Sequence, residues 1–86
     1  MNQYFVLEND IDKKNKFYRY LYSLGCKRVN YTKREMINTH FPWVINIGEK
    51  GNSMYLCESI TICACIAQSK KFINIQEFKK IMKEGK

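Results

Sequence analysis

Basic and aromatic side chains are concentrated between residues 13 and 34 of this chain. The interval holds eight lysines and arginines, four of the six tyrosines and no acidic residue, in a protein with a formal net charge of +7. A surface that places cations among amphipathic rings can hold phosphate groups or an acidic protein surface. We select seven residues of this interval as candidate binding contacts: Lys16, Arg19, Tyr22, Lys27, Arg28, Lys33 and Arg34.

The same interval also has an ordinary structural interpretation. In that interpretation the lysines keep a helix solvated, while the tyrosines fill a small core. The complete lack of acidic residues favours the binding interpretation, because solvated helices commonly mix charge signs and form pairs four residues apart. The sequence leaves both interpretations open.

The cysteines and the single histidine form a second candidate group, with metal binding as its possible chemistry. Cys57, Cys63, Cys65 and His40 would supply the four ligands of a closed zinc site. However, the Cys-x-Cys spacing is not typical of zinc knuckles, and no Cys-x-x-Cys pair is present. We therefore predict that these cysteines and Cys26 are reduced thiols packed as small apolar groups, and we predict no metal site.

Nucleophilic catalysis has little support in this sequence. His40 is the only histidine, and the residues around Cys26 and Cys57 match no known nucleophile signature. The acidic residues are scattered, and the four glycines do not form a phosphate-binding loop after a strand. We predict that the protein is not an enzyme and requires no cofactor.

Length and composition indicate one globular domain covering residues 1–86. The chain has 86 residues, of which 45% are hydrophobic, so a core can form, although a thin one. A homo-oligomeric contact is therefore a possible source of extra stability. No apolar stretch is long enough to span a bilayer, and the N-terminal residues lack the features of a signal peptide. We expect a cytoplasmic protein with no membrane partner.

The first half of the chain predicts a strand, a helix and a second strand. Residues 3–7 are rich in β-formers, and Asp10 can cap a helix in which Phe17, Leu21 and Leu24 share one face. Gly25 is a natural helix stop, and residues 26–31 can return as a strand. Residues 32–41 have mixed polarity, and no regular element is predicted there.

The second half predicts a hairpin and a terminal helix. Residues 43–47 and 53–57 read as two strands joined by turn residues, and residues 60–67 favour a strand or, alternatively, a short buried helix. Asn74 can cap a final helix whose apolar face includes Phe78. The fold class is therefore α+β: an antiparallel-rich sheet of three to five strands with two helices, in the order β-α-β-β-(β)-α.

This order of elements resembles that of small accessory proteins encoded by phages and mobile elements of low-GC bacteria. The resemblance lies in Leu24-Gly25, Trp43 and the segment Ile75-Gln76-Glu77-Phe78. It implies a β-α-β-β core closed by a small terminal helix, and stoichiometric action against host defence systems. The basic charge departs from the acidic inhibitors of this kind that mimic DNA.

These observations together predict a non-enzymatic inhibitor that binds a host defence protein or nucleoprotein. The bound surface would be acidic protein, nucleic acid or a nucleotide signal. The alternative is a small basic module that binds nucleic acid without any protein target. In either case the expected location is the cytoplasm of the infected or host bacterium.

Overall fold

A computed structural model describes residues 2–58 and 72–84, and this part of the chain has an α+β architecture. The predicted fold class and the order of the predicted elements are confirmed, while the predicted segment 60–67 lies outside the described residues. The elements are β1 (Asn2–Val6), α1 (Ile11–Ser23), β2 (Cys26–Arg28), α2 (Lys33–Asn38), β3 (Trp43–Ile47), β4 (Asn52–Leu56) and α3 (Ile75–Glu84). None of the described helices is long and apolar enough to cross a membrane.

Four strands form one mixed sheet in the order β1-β3-β4-β2. β3 pairs antiparallel with both β1 and β4, and β2 joins the edge of the sheet parallel to β4. The predicted hairpin is β3–β4, and its turn contains Gly51 at φ +129°, a conformation that L side chains rarely adopt. The predicted excess of antiparallel pairing is therefore confirmed.

Helix α1 begins and ends at the residues that its sequence indicates. The Asp10 carboxylate accepts a hydrogen bond from the Lys13 backbone N–H at 3.0 Å, which satisfies one of the open donors of the first turn. Gly25 follows the helix at φ +80°, in the left-handed region that ends many helices. Phe17 and Leu21 are buried as expected, and Lys14 is buried beside them.

Helix α2 is an additional short element within residues 32–41. Its start is a complete capping box: the Thr32 hydroxyl accepts from the Glu35 N–H at 3.1 Å, and the Glu35 carboxylate accepts from the Thr32 N–H at 2.9 Å. The Thr-x-x-Glu spacing was a usable sequence signal. Only Met36 and Ile37 of this helix are buried, so it lacks a full amphipathic period.

Two side chains from other elements hold α2 in place. The Trp43 indole N–H donates to the Met36 carbonyl at 2.8 Å, and Trp43 itself is a core residue. The Lys14 ammonium donates to the Ile37 carbonyl at 3.2 Å and also to the Thr39 carbonyl. Lys14 is only 4% exposed, and burial lowers its pKa, although the Glu8 carboxylate acts in the opposite direction.

The core lies mainly between the sheet and the helices. Side chains from all three described helices pack there against alternate residues of the strands, and Phe17 meets Phe78 of α3 edge-to-face at 5.4 Å. Asn74 caps α3 as predicted, because its side-chain oxygen accepts from the Glu77 N–H at 2.8 Å. A second cluster joins Phe5, Val44 and Cys57, which alternate with the residues that face the helices.

Replacement of Lys14 tests its role in holding α2. We expect Lys14→Met to lower the free energy of unfolding by about 1–3 kcal/mol, because two carbonyl groups lose a donor that water cannot readily replace. Urea denaturation measures this change. The neighbouring exposed residue gives a matched control, Lys13→Met, with an expected change within about 0.5 kcal/mol. Equal losses in the two variants would contradict the role of Lys14.

The lowered pKa of Lys14 predicts a pH dependence of stability. Between that pKa and 10.5, the ordinary value, the unfolded chain binds a proton at Lys14 that the folded chain does not. The free energy of unfolding therefore rises with pH across this interval, and the gain is lost as the pH falls through the lowered pKa. Urea denaturation at a series of pH values from neutral to 10.5 should show that the free energy of unfolding of the wild type increases relative to that of Lys14→Met. A constant difference between the two proteins would refute this expectation.

Candidate binding surface

All seven residues predicted as binding contacts are exposed. They come from three elements that follow one another along the chain: α1 carries Lys16, Arg19 and Tyr22, β2 carries Lys27 and Arg28, and α2 carries Lys33 and Arg34. Lys14 differs from the other seven cations of the interval because its ammonium is buried against carbonyl groups. A partner can therefore reach seven of the eight positive charges.

The exposed cations of this interval are not neutralised within the described chain. Within residues 2–58 and 72–84, none of these seven lysines and arginines forms an ion pair with a carboxylate. Unpaired cations on a surface remain available to attract an anionic partner over a distance of about one Debye length, roughly 8–10 Å in physiological salt.

The contact between α1 and α2 brings Tyr22 and Lys33 to the same aromatic ring. The Tyr22 and Tyr18 rings are stacked with centroids 6.4 Å apart, and the Lys33 ammonium lies 5.2 Å from the centroid of Tyr18. Tyr18 is buried, whereas Tyr22 is 69% exposed. Arg19 lies about 60° from Tyr22 around the helix axis, on the solvent side. We call Arg19, Tyr22 and Lys33 the aromatic–basic face.

The two cations of β2 do not share one face of the sheet. Successive side chains of a strand point to opposite sides. Arg28 pairs in register with Met54, which lies in the core on the helix side, whereas Lys27 pairs with Ser53. Arg28 therefore lies on the same side of the sheet as the helices, and Lys27 lies on the opposite side.

Lys16 lies on the other flank of α1 and faces α3. It lines a cleft of about 310 Å³ together with Glu8, Lys13, Asn74, Ile75, Gln76 and Lys79. Around the helix axis Lys16 is about 120° from Tyr22, so one rigid group cannot readily contact both. The basic interval is thus divided between the aromatic–basic face and this cleft, which we call the lysine cleft.

A larger groove of about 450 Å³ lies at the other end of α1. Its lining is mainly apolar and includes Tyr4, Tyr20, Leu24, Ile47, Ile81 and Met82. Among residues 2–58 and 72–84, no cysteine or histidine lines either this groove or the lysine cleft.

The described cysteines and His40 differ in solvent exposure. Cys26 is buried, and burial raises the pKa of its thiol to about 11, which disfavours the reactive thiolate. Cys57 is also buried, whereas His40 is exposed, and Cys63 and Cys65 lie outside the described residues. Among residues 2–58 and 72–84, no three or more Cys, His, Asp or Glu side chains are grouped as metal ligands would be.

Three residues that were not selected from the sequence contribute to these surfaces. Tyr18 supports Tyr22 from four residues earlier, a spacing that places both rings on one side of a helix and was visible in the sequence. Lys13 and Lys79 line the lysine cleft, but their proximity depends on how α3 packs against α1. Only the first of these contributions had a local sequence signal.

Comparison with known proteins identifies no relative. No family model matches the chain, and neither a curated protein nor a solved structure matches it. We therefore infer the function from the residues and their geometry.

The stacked pair of Tyr18 and Tyr22 predicts unequal effects on stability for the two tyrosines. Tyr22→Ala should change the free energy of unfolding by no more than about 0.5 kcal/mol, because most of this ring is exposed. Tyr18→Ala should lower it by about 3 kcal/mol, because it opens a cavity beside Trp43. Chemical denaturation of both variants measures the difference. A large loss in Tyr22→Ala would assign Tyr22 to the core and remove it from the binding face.

Proposed function

We propose that this protein is a non-enzymatic binding protein that recognises an anionic partner through its aromatic–basic face. The observation that carries the proposal is the exposed Tyr22 ring, which is stacked on the buried Tyr18, while the Lys33 ammonium lies over the same Tyr18 ring. A ring that adds little to the core but is held in one orientation is suited to a contact with another molecule. The unpaired cations beside it favour a negatively charged partner.

The cations and the tyrosine ring act on different steps of binding. The cations steer the encounter and increase the rate of association, an effect that weakens as salt is added. The tyrosine ring loses contact with water in the complex, and this contact slows dissociation. Occupancy of the partner is then sufficient for function, with no chemical step.

We further propose that the partner belongs to a bacterial defence system and that the protein inhibits it stoichiometrically. This part rests on the resemblance of the sequence to accessory proteins of phages and mobile elements. A nucleoprotein, a nucleotide signal or an acidic protein surface would each present the negative charge that the aromatic–basic face attracts.

A second candidate function is that of a small nucleic-acid-binding module. The Tyr22–Tyr18 stack favours it, because an exposed ring next to cations is the usual platform for a nucleobase beside a phosphate backbone. This candidate requires binding to plain DNA or RNA that weakens steeply with salt. The inhibitor hypothesis instead requires binding to a protein or nucleoprotein under conditions in which naked nucleic acid does not bind.

Charge reversal on the aromatic–basic face tests the proposed function. We expect the double variant Arg19→Glu/Lys33→Glu to lose the partner that the wild type captures from a bacterial lysate, with at least about a hundredfold weaker affinity once the partner is purified. A matched control, Lys50→Glu/Lys80→Glu, makes the same change in net charge at exposed positions away from this face. Mass spectrometry and nucleic-acid analysis of the same eluate identify what is bound.

The outcomes separate the two candidates. A captured protein that is lost only in the Arg19/Lys33 variant supports the inhibitor, whereas nucleic acid alone, released by salt, supports the nucleic-acid-binding module. Equal binding by both double variants would exclude the aromatic–basic face as the contact surface. Thermal unfolding of each variant shows whether its fold is retained.

A further inference from the structure

The lysine cleft is lined by three lysines that come from two helices. Lys13 and Lys16 come from the first half of α1, and Lys79 comes from the second turn of α3. Among the described residues of the lining Glu8 is the only one with a carboxylate, so three lysines and one glutamate give this part of the lining a net charge of +2. Positive groups that face one cavity from separate elements repel each other, and an anion between them relieves this repulsion.

The polar groups of the cleft leave the lysines available. The Glu8 carboxylate accepts from the backbone N–H groups of Asn9 and Asp10, both at 3.0 Å, and is thereby held at the start of α1. The Asn74 side-chain oxygen is used in the cap of α3. The Glu8 carboxylate forms no ion pair with the three lysines within the part of the chain that the structure describes.

Lys79 is held toward α1 by an aromatic contact. Its ammonium lies 5.0 Å from the centroid of the Tyr20 ring, a cation–π geometry that limits how far the side chain can swing away. Tyr20 in turn packs edge-to-face against the buried Phe78 at 6.4 Å. Lys79, which lines the cleft, is therefore connected to the core through Tyr20.

We infer that the lysine cleft is a binding site for a phosphoryl group. A phosphate monoester carries a charge of about −1.5 to −2 and three acceptor oxygens, which match the net charge and the three ammonium donors of the lining. A carboxylate has only one charge and two oxygens. The cavity of about 310 Å³ is near the lower limit for small-molecule sites, which suits a phosphate or a small phosphorylated compound.

This site is separate from the aromatic–basic face. The two lie on different flanks of α1, so binding in the cleft does not require the partner proposed above. The inference therefore stands or fails independently of the proposed function.

Phosphate titration of the whole protein tests the inference. We expect inorganic phosphate to produce saturable shifts of the Asn74, Ile75 and Gln76 backbone amides in a two-dimensional ¹H–¹⁵N NMR spectrum. Lys13→Gln/Lys79→Gln should weaken this binding about tenfold or more, since each substitution removes a charged donor. The control Lys50→Gln/Lys80→Gln removes the same net charge outside the cleft and should leave the affinity within about twofold.

A second titration, with adenosine monophosphate, distinguishes a nucleotide from free phosphate as the ligand. Tighter binding of adenosine monophosphate than of phosphate assigns the site to a nucleotide, and equal binding assigns it to free phosphate. Absence of saturable shifts with either probe, or equal weakening in the two double variants, would overturn the inference. Arg19→Glu/Lys33→Glu should still bind phosphate, so a failure of the proposed function leaves this result unaffected.

Discussion

The arrangement of α1 and α2 depends on a lysine that is buried inside the protein. Lys14 lies on the apolar stripe of α1 and donates its ammonium hydrogens to the carbonyls of Ile37 and Thr39 at the end of α2. A helix of six residues is far too short to be stable alone, and its last carbonyls need donors. Lys14 supplies these donors and places positive charge where the helix dipole is negative. Desolvation of the ammonium opposes this arrangement, so the site is stable only with its acceptors in place.

The aromatic–basic face is connected to the core through one tyrosine. Tyr18 packs edge-to-face against Trp43 at 6.5 Å, while its ring also contacts Tyr22 and lies under the Lys33 ammonium. Trp43 in turn holds α2 through its bond to Met36. The exposed ring and the cation are therefore positioned by the same buried residues that fix α2 against α1. Preorganisation of this kind reduces the entropy that a contact surface loses on binding.

Local signals in the sequence predicted every described element except α2, but they did not predict how the elements assemble. Asp10, Gly25, Gly51 and Asn74 each mark a cap or a turn, and the structure has a cap or turn at each of them. Helix α2 was not predicted, although a capping box marks its start, because it has only two buried residues and because Lys14, which helps to hold it, comes from another helix. A buried lysine also cannot be recognised from its type, since lysine side chains are usually exposed. The parallel pairing of β2 with β4 is likewise a property of the whole sheet.

The basic interval shows why a continuous run in sequence does not make a continuous surface. A helix turns by about 100° per residue and a strand alternates its sides, so successive cations are distributed around the elements that carry them. Lys14 is directed inward, Lys16 toward α3, and Lys27 to the far side of the sheet. Residues four apart on a helix stay together, and this is the relation between Tyr18 and Tyr22. The aromatic spacing therefore predicts the aromatic–basic face better than the charge does, because charge density along the chain is compatible with several separate surfaces.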